Sequence, residues 1–257
     1  YLFRTVGTVS HPSNNALEAS DITVDTTTLV TDSTNNRVGV GTASPSNKFE
    51  VDGGSAETRL RVSTTGTDAN EAGIILANSS KSADNDGIEI SHGGGYTSFR
   101  GLTGTEYMRI TGGTGIITKP LQPAFLAQAS DVDNMGDNTT IVFGTEIFDQ
   151  NADFASNTFT APVTGRYLLS FHGRIDDIDS AASWVRAEII TSNRSYKSSI
   201  IDPRAFDADA VYWNFSQTVL ADMDAGDSAY IYFGKSGGAA QSDLHGADSF
   251  FSGYLVC

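Results

Sequence analysis

With 257 residues, the chain has room for one or two domains. Its net charge of −15 repels polyphosphate and anionic lipid, which argues against nucleic acid as a partner. No apolar run approaches the roughly 18 residues that a membrane-spanning helix needs, so no membrane insertion is expected.

The charge is unevenly placed. Before Pro120 there are 13 acidic and 9 basic residues, net −4; the remainder has 18 acidic and 7 basic, net −11. The acidic half suits a cation or a neutral glycan. Cys257 is the single cysteine, so no intrachain disulfide forms, which fits a chain folded in a reducing cytoplasm. A chain opening at Tyr1 without Met is expected to be part of a longer protein.

Residues 1–27 are Ser, Thr and Asn rich and read as extended or β structure, with one helical turn at Asn14–Ala19 too short to stand alone. Residues 28–120 carry a loose repeat, each unit a short apolar strand, a polar Gly/Asn turn and another short strand. Leu29-Val30-Thr31 leads to Arg37-Val38-Gly39-Val40-Gly41-Thr42 and Pro45, and Met108-Arg109-Ile110-Thr111 leads to Gly115-Ile116-Ile117-Thr118 and Pro120. Leu60-Arg61-Val62-Ser63 with Ala72–Leu76 forms a weaker third copy. Such thin strands bury too little apolar surface in one chain to offset ordering at roughly 1–2 kcal/mol per residue, whereas three chains on an axis share one core. A trimeric β-rich shaft is therefore predicted over 28–120. Lys119-Pro120-Leu121-Gln122-Pro123 is a stiff boundary.

Residues 121–257 read as a domain of about ten short strands, with turns at Asn134–Asn138, Thr164-Gly165, Ala225-Gly226-Asp227 and Ser236–Gly238. Tyr167, Leu169 and Phe171 alternate with Leu168, Ser170 and His172, the period of a half-buried strand. Trp184–Ile189 has helix-forming Ala, Arg and Glu, but its alternation puts Val185, Ala187 and Ile189 on one face and predicts a strand.

Two resemblances follow from these residues. Phe143, Asp149, Phe154, Phe159, Gly165, Tyr167 and Phe171, then Leu220 with Ala225-Gly226-Asp227 and a closing Ser249–Val256, resemble the signature of the complement C1q/TNF-like jelly roll. Phe159 comes two residues early, implying a shorter loop after Phe154, and Leu169 replaces the usual Phe. Arg37 to Pro45 resembles the Val-Gly-Ile-Gly-Thr-x-x-Pro repeat of bacteriophage tail fibres, and the second copy has lost its second Gly. Together they imply an all-β protein: a trimeric β-rich shaft followed by a C1q/TNF-like jelly-roll head.

Several constellations suggest chemistry. His92-Gly93-Gly94-Gly95 and Gly234-Lys235-Ser236-Gly237-Gly238, followed by Asp243 and His245, match hydrolase motifs. No helical segment follows Ser236, so loops are expected and catalytic residues are not. Asp131, Asp133 and Gly136 start like an EF-hand loop, but Met135 and Val142 stand at positions 5 and 12, so the bidentate acid is missing. No cofactor is expected. A calcium site of another type stays open, as the resemblance implies for some members, through Asp176, Asp177 and Asp179 or Asp202, Asp207 and Asp209. His11, His92, His172 and His245 lack metal-ligand spacing.

Asn193 to Trp213 is long for a connection and concentrates Arg194, Tyr196, Lys197, Arg204 and Phe206, residue types that stack on sugars and bond their hydroxyls. These five are the candidate receptor-binding residues, with Ser236–Asp248 a second candidate surface. Tyr212 and Trp213 belong to the same aromatic set, with packing in the core or a trimer interface as their other reading. The resemblances imply a homotrimeric tail fibre protein of the virion. Its head would recognise a bacterial surface receptor, glycan or protein, and its other end would join an upstream fibre or tail/baseplate protein. The alternative is a purely structural fibre or trimerisation cap.

Overall fold

The computed structural model describes residues 23–24, 28–32, 34–52, 60–63, 72–78, 83, 86–197 and 200–257. The segment expected to form a helical turn at Asn14–Ala19 lies outside them. The chain divides into two compact units, Tyr1–Ser63 and Thr64–Cys257.

In the first unit, β1 (Thr23–Val24), β2 (Leu29–Asp32), β3 (Arg37–Val40) and β4 (Phe49–Val51) form a sheet in chain order. β2 and β3 make the hairpin expected of the first repeat, closed by Asn36 at φ 52° with the Asn35 N–H donating to Asp32 Oδ1 at 3.0 Å. β4 then adds to β3 in parallel. The repeat's glycines have a steric reason: Gly41 sits at φ +82° where a Cβ would run into the Asp52 carbonyl, and a Cβ on Gly39 would lie 2.8 Å from the Thr42 carbonyl oxygen. The Arg37 guanidinium donates to the Pro45 carbonyl at 2.7 Å, fixing the Pro that ends the motif.

The second unit begins with an antiparallel meander. β5 (Ala72–Ala77), β6 (Gly87–Gly93), β7 (Tyr96–Gly101), β8 (Glu106–Thr111) and β9 (Ile117–Thr118) lie in that order. β8 and β9 are the second repeat copy. The third copy is not a hairpin as expected: Leu60–Ser63 takes no strand, and β5 pairs with β6. The wider ladder of β6 offers β5 a six-residue partner, which the short Leu60–Ser63 run does not match.

The rest is an all-β jelly-roll sandwich of two sheets. One sheet runs β13 (Thr145–Asp149), β10 (Ala124–Gln128), β21 (Ser242–Leu255), β16 (Gly165–Ile178), β19 (Ala210–Met223), with β11 (Val132–Met135) also on β21. The other runs β14 (Phe154–Ala155), β15 (Thr158–Thr160), β20 (Ser228–Ser236), β17 (Trp184–Thr191), β18 (Ser195–Lys197), with β12 (Thr139–Thr140) also on β20. The inward rows are those the alternation predicts: Tyr167, Leu169 and Phe171 from β16, and Val185, Ala187 and Ile189 from β17, are all buried. Phe125 lies between Phe154 and Phe159, ring centroids 4.9 Å from each, and meets Phe251 edge-on at 5.0 Å. The short loop after Phe154 is a two-residue turn, Ser156 and Asn157 at φ 50° and 67°, joining the paired Phe154 and Phe159.

Candidate functional site

Lys119 to Pro123 enters the sandwich at one end, next to the close of β21. The Gln150 side-chain amide reaches the carbonyls of Lys119, Pro120 and Gln122 at 2.8–3.0 Å, and Asn151 donates to Leu121 at 2.9 Å. Gln122 in turn donates to the Leu255 carbonyl at 2.5 Å. This is the tethered end. The opposite end carries the turns β11–β12, β16–β17, β18–β19 and β20–β21.

The five candidate residues divide between the two ends. Arg194 and Tyr196 share one partner, Asp222: Arg194 Nη2 donates to Oδ2 at 2.7 Å and the Tyr196 hydroxyl lies 3.3 Å from Oδ1. Asp222 pairs across the sheet with Arg166 near the start of β16, so this pair sits at the tethered end. Burial, then the Asp222 charge, pushes the Tyr196 hydroxyl's pKa up. Lys197 is exposed at the end of β18. Arg204 and Phe206 lie at the far end, where Asp202 caps a single 3-10 turn, Pro203–Ala205. Arg204 grips Asp202 with two donors, each 2.8 Å, holding that carboxyl below its ordinary range. The Phe206 ring packs on Trp213 at 5.6 Å. Trp213 and Asp222 are nine residues apart on β19, about 30 Å of strand. The segment expected to act as one loop is thus interrupted by β18 and ends at Ala210, where β19 starts.

The far end has further organised groups. Asp209 accepts from the Ser180 N–H and hydroxyl at 2.8 and 2.7 Å and from Gln241 at 2.8 Å, bonds that hold its pKa down and tie three turns together. On the adjoining sheet face, Arg174 binds Asp176 at 2.8 and 2.9 Å and Asp248 at 3.0 Å, which raises its pKa. Its guanidinium lies 4.4 Å from the centre of the Tyr212 ring. Tyr212 is 65% exposed, so it points to solvent rather than into the core, while Trp213 is half-buried against it. Alternation along β19 was the signal that separates the two neighbours. Of the second candidate surface, Ser242 to Asp248 belongs to β21, and only Gly237–Gln241 remains a turn.

The other sequence motifs resolve into local structure. Ser236 ends β20, and Gly237 and Gly238, at φ 73° and 68°, turn the chain into β21, so Ser236 lies on a strand-to-strand turn. His92 lies on β6 with Nδ1 2.9 Å from Thr97 Oγ1. Asp131 accepts from the Gly246 N–H at 2.7 Å, and Asp179 accepts from the N–H groups of Ala181 and Ala239. Among the described residues no three His, Cys, Asp or Glu side chains gather as a metal site.

The family model for the C1q domain matches residues 124–256, from the first residue of β10 to the end of β21. The chain belongs to the C1q-domain family. Among solved structures, the globular domain of zebrafish complement 1qA protein is 19% identical, covers 53% of this chain and 98% of its own length, and has a TM-score of 0.41. Murine APRIL at pH 8.0 is 11% identical, covers 52% and 99%, and has a TM-score of 0.38. C1q/TNF-like domains are typically binding or structural modules, and no catalytic family is indicated for this one. In this C1q domain Arg204, Phe206 and Tyr212 lie at the far end, while Arg194 and Tyr196 lie beside the tether.

Proposed function

We propose that the chain is the distal part of a bacteriophage tail fibre. On this reading it is a homotrimer carried on the virion, and its C1q heads recognise a bacterial surface glycan or protein. The observation that carries the reading is the polarity of the head. Gln150 and Asn151 hold the incoming chain at one end, and the Arg, aromatic and acidic turns gather at the other. Loops on a rigid sandwich, presented away from the tether, are where recognition usually resides. The glycine-bearing repeat around Arg37–Pro45 supports the fibre context, and the other end of the fibre would join an upstream fibre or baseplate protein.

C1q/TNF-like domains commonly form homotrimers. Apolar side chains on the head's outer face support the same state here. Leu126 with Phe148, and in the neighbouring row Tyr254 with Leu168 and Leu220, share the outer face of the β13-β10-β21-β16-β19 sheet, and Phe148, Leu220 and Tyr254 are exposed. Three heads per fibre would give avidity without strong single sites.

The test is binding of the isolated head to host cells or a glycan array, with light scattering for mass. Saturable binding by a species three times the chain mass supports the proposal, and a stable monomer at low concentration overturns the trimer. A purely structural cap has one observation in its favour: Arg194 and Arg204 are already paired with Asp222 and Asp202. Trimeric heads that bind neither cells nor glycans would establish that second reading.

A further inference from the structure

The β5–β9 meander has its faces the wrong way round for a single chain. Residues directly opposite in an antiparallel ladder share a face. Ile74, Ile90, Phe99 and Met108 are in register across four strands. On one side Leu76 and Ile88 add an apolar pair, and on the other Ile110 and Ile117 continue the row that runs through Thr97 and His92 to Ala72. None of the large apolar residues in these rows is among the buried hydrophobic residues, and Ile74, Leu76 and Ile117 are 45%, 59% and 56% exposed. The opposite face carries one large apolar side chain, Ile75 at the edge strand, and is otherwise polar and paired within itself. Glu89 pairs with Arg100 at 3.2 Å, Glu106 with Arg109 at 2.7 Å, and the Arg109 guanidinium lies 3.9 Å from the Tyr96 ring centre. Beneath them Ser91 and Ser98 are buried and share a hydrogen bond of 3.1 Å.

We infer that this apolar face packs against the same face of second and third copies of the chain, around a common axis, and so makes the shaft core. The inference rests on the homotrimer reading and names the surface that reading requires outside the head. Copies of the chain fit for two reasons. The meander's Asp, Glu, Lys and Arg strand residues, Glu89, Arg100, Glu106 and Arg109, all lie on the far face and pair there, so the identical faces meet without burying any of them; His92, the one titratable side chain on the packing face, sits in its flanking row and bonds to Thr97. The face is also small. Five strands about 4.8 Å apart and about six residues long at 3.3 Å each give roughly 20 by 20 Å. That is about 400 Å², near the largest apolar patch a monomer tolerates and half the roughly 800 Å² per partner of a stable free complex. Such a face holds when the heads keep three copies together, and is weak when they do not.

The experiment uses the full chain with Cys257→Ser and Ile90→Cys, treated with a bismaleimide spanning about 10 Å, the separation of facing sheets. Thr111→Cys, in register with Tyr96 on the polar face, is the control. Light scattering gives the mass before cross-linking. The expected result is a trimeric chain in which Ile90→Cys forms covalent dimers at least tenfold faster than Thr111→Cys. A trimeric chain in which the two sites react alike overturns the shaft core and leaves the homotrimer standing. A monomeric parent chain removes both. If Ile90→Cys impairs assembly, Leu76→Cys on the edge strand is scored by the same criteria.

Discussion

The side-chain amide of Gln150 lies 2.9 Å from the carbonyl oxygen of Lys119, one of three connector carbonyls it reaches. Two prolines already stiffen this connector and remove two of its own donors, so the head supplies the missing partner. Gln150→Ala is expected to remove this clamp at a cost of about 1 kcal/mol, a net value typical of such bonds. Protease cleavage between Lys119 and Pro123 should accelerate several-fold while the head core stays folded. An unchanged cleavage rate would show that the prolines alone hold the segment.

The buried aromatic cluster among the described residues lies wholly within Phe125–Phe251. A fragment of residues 121–257 is therefore expected to unfold cooperatively by itself, whereas one ending near Lys119 should not form a cooperative trimer. Phe125→Ala, which empties the space between Phe154 and Phe159, should cost about 3–5 kcal/mol in that head fragment by denaturant titration. A loss below about 1 kcal/mol would place the decisive packing elsewhere.

Asp153 gives a signed pH effect. Burial, then the neighbouring Asp149 carboxylate, raises its pKa above the usual aspartate value, and Oδ2 has no hydrogen-bond partner. An acid with a raised folded pKa binds its proton more tightly when folded, so it destabilises the head as pH rises above the unfolded pKa, in full once pH exceeds the folded one. The penalty fades as pH falls through the folded value and vanishes below the unfolded value near 3.8. Asp153→Asn is expected to raise Tm at pH 7, with the pH-dependent part of that gain gone below about pH 2.5, where the carboxyl is neutral folded and unfolded. A lower Tm at pH 7 would show that the carboxylate is compensated.

The two ends of the head are expected to respond differently to mutation. Arg204→Ala with Phe206→Ala should weaken adsorption to host cells by about 1–2 kcal/mol per head, roughly 5- to 30-fold, with cooperative melting retained. Arg194→Ala with Tyr196→Phe, at the tethered end, should leave adsorption nearly unchanged. The pairing of Tyr196→Ala with Arg204→Ala mixes both ends and should match Arg204→Ala alone in adsorption. Loss on the Arg194 and Tyr196 side only would reverse the polarity assigned to the head.

The sequence by itself determined the inward rows of the head, and its resemblance to the C1q/TNF-like signature selected the jelly roll. Tyr167, Leu169 and Phe171 alternate with outward neighbours, and period-two burial is a local property that a ladder has to respect. It also determined the hairpins of the first two repeats, because Gly41 at a positive φ and Asn36 in a left-handed turn are chain-local requirements. The division of Arg194 and Tyr196 from Arg204 and Phe206 was decided only in three dimensions. All four lie within thirteen residues of chain, but β18 reverses beside β17 and carries the later pair to the far end. Tyr212 and Trp213 are likewise neighbours in sequence, and the register of β19 on β16 sends one to solvent and the other towards the core. Leu60–Ser63 takes no strand, and its expected partner Ala72–Leu76 pairs instead with Ile88–His92, a choice that only the tertiary ladder makes.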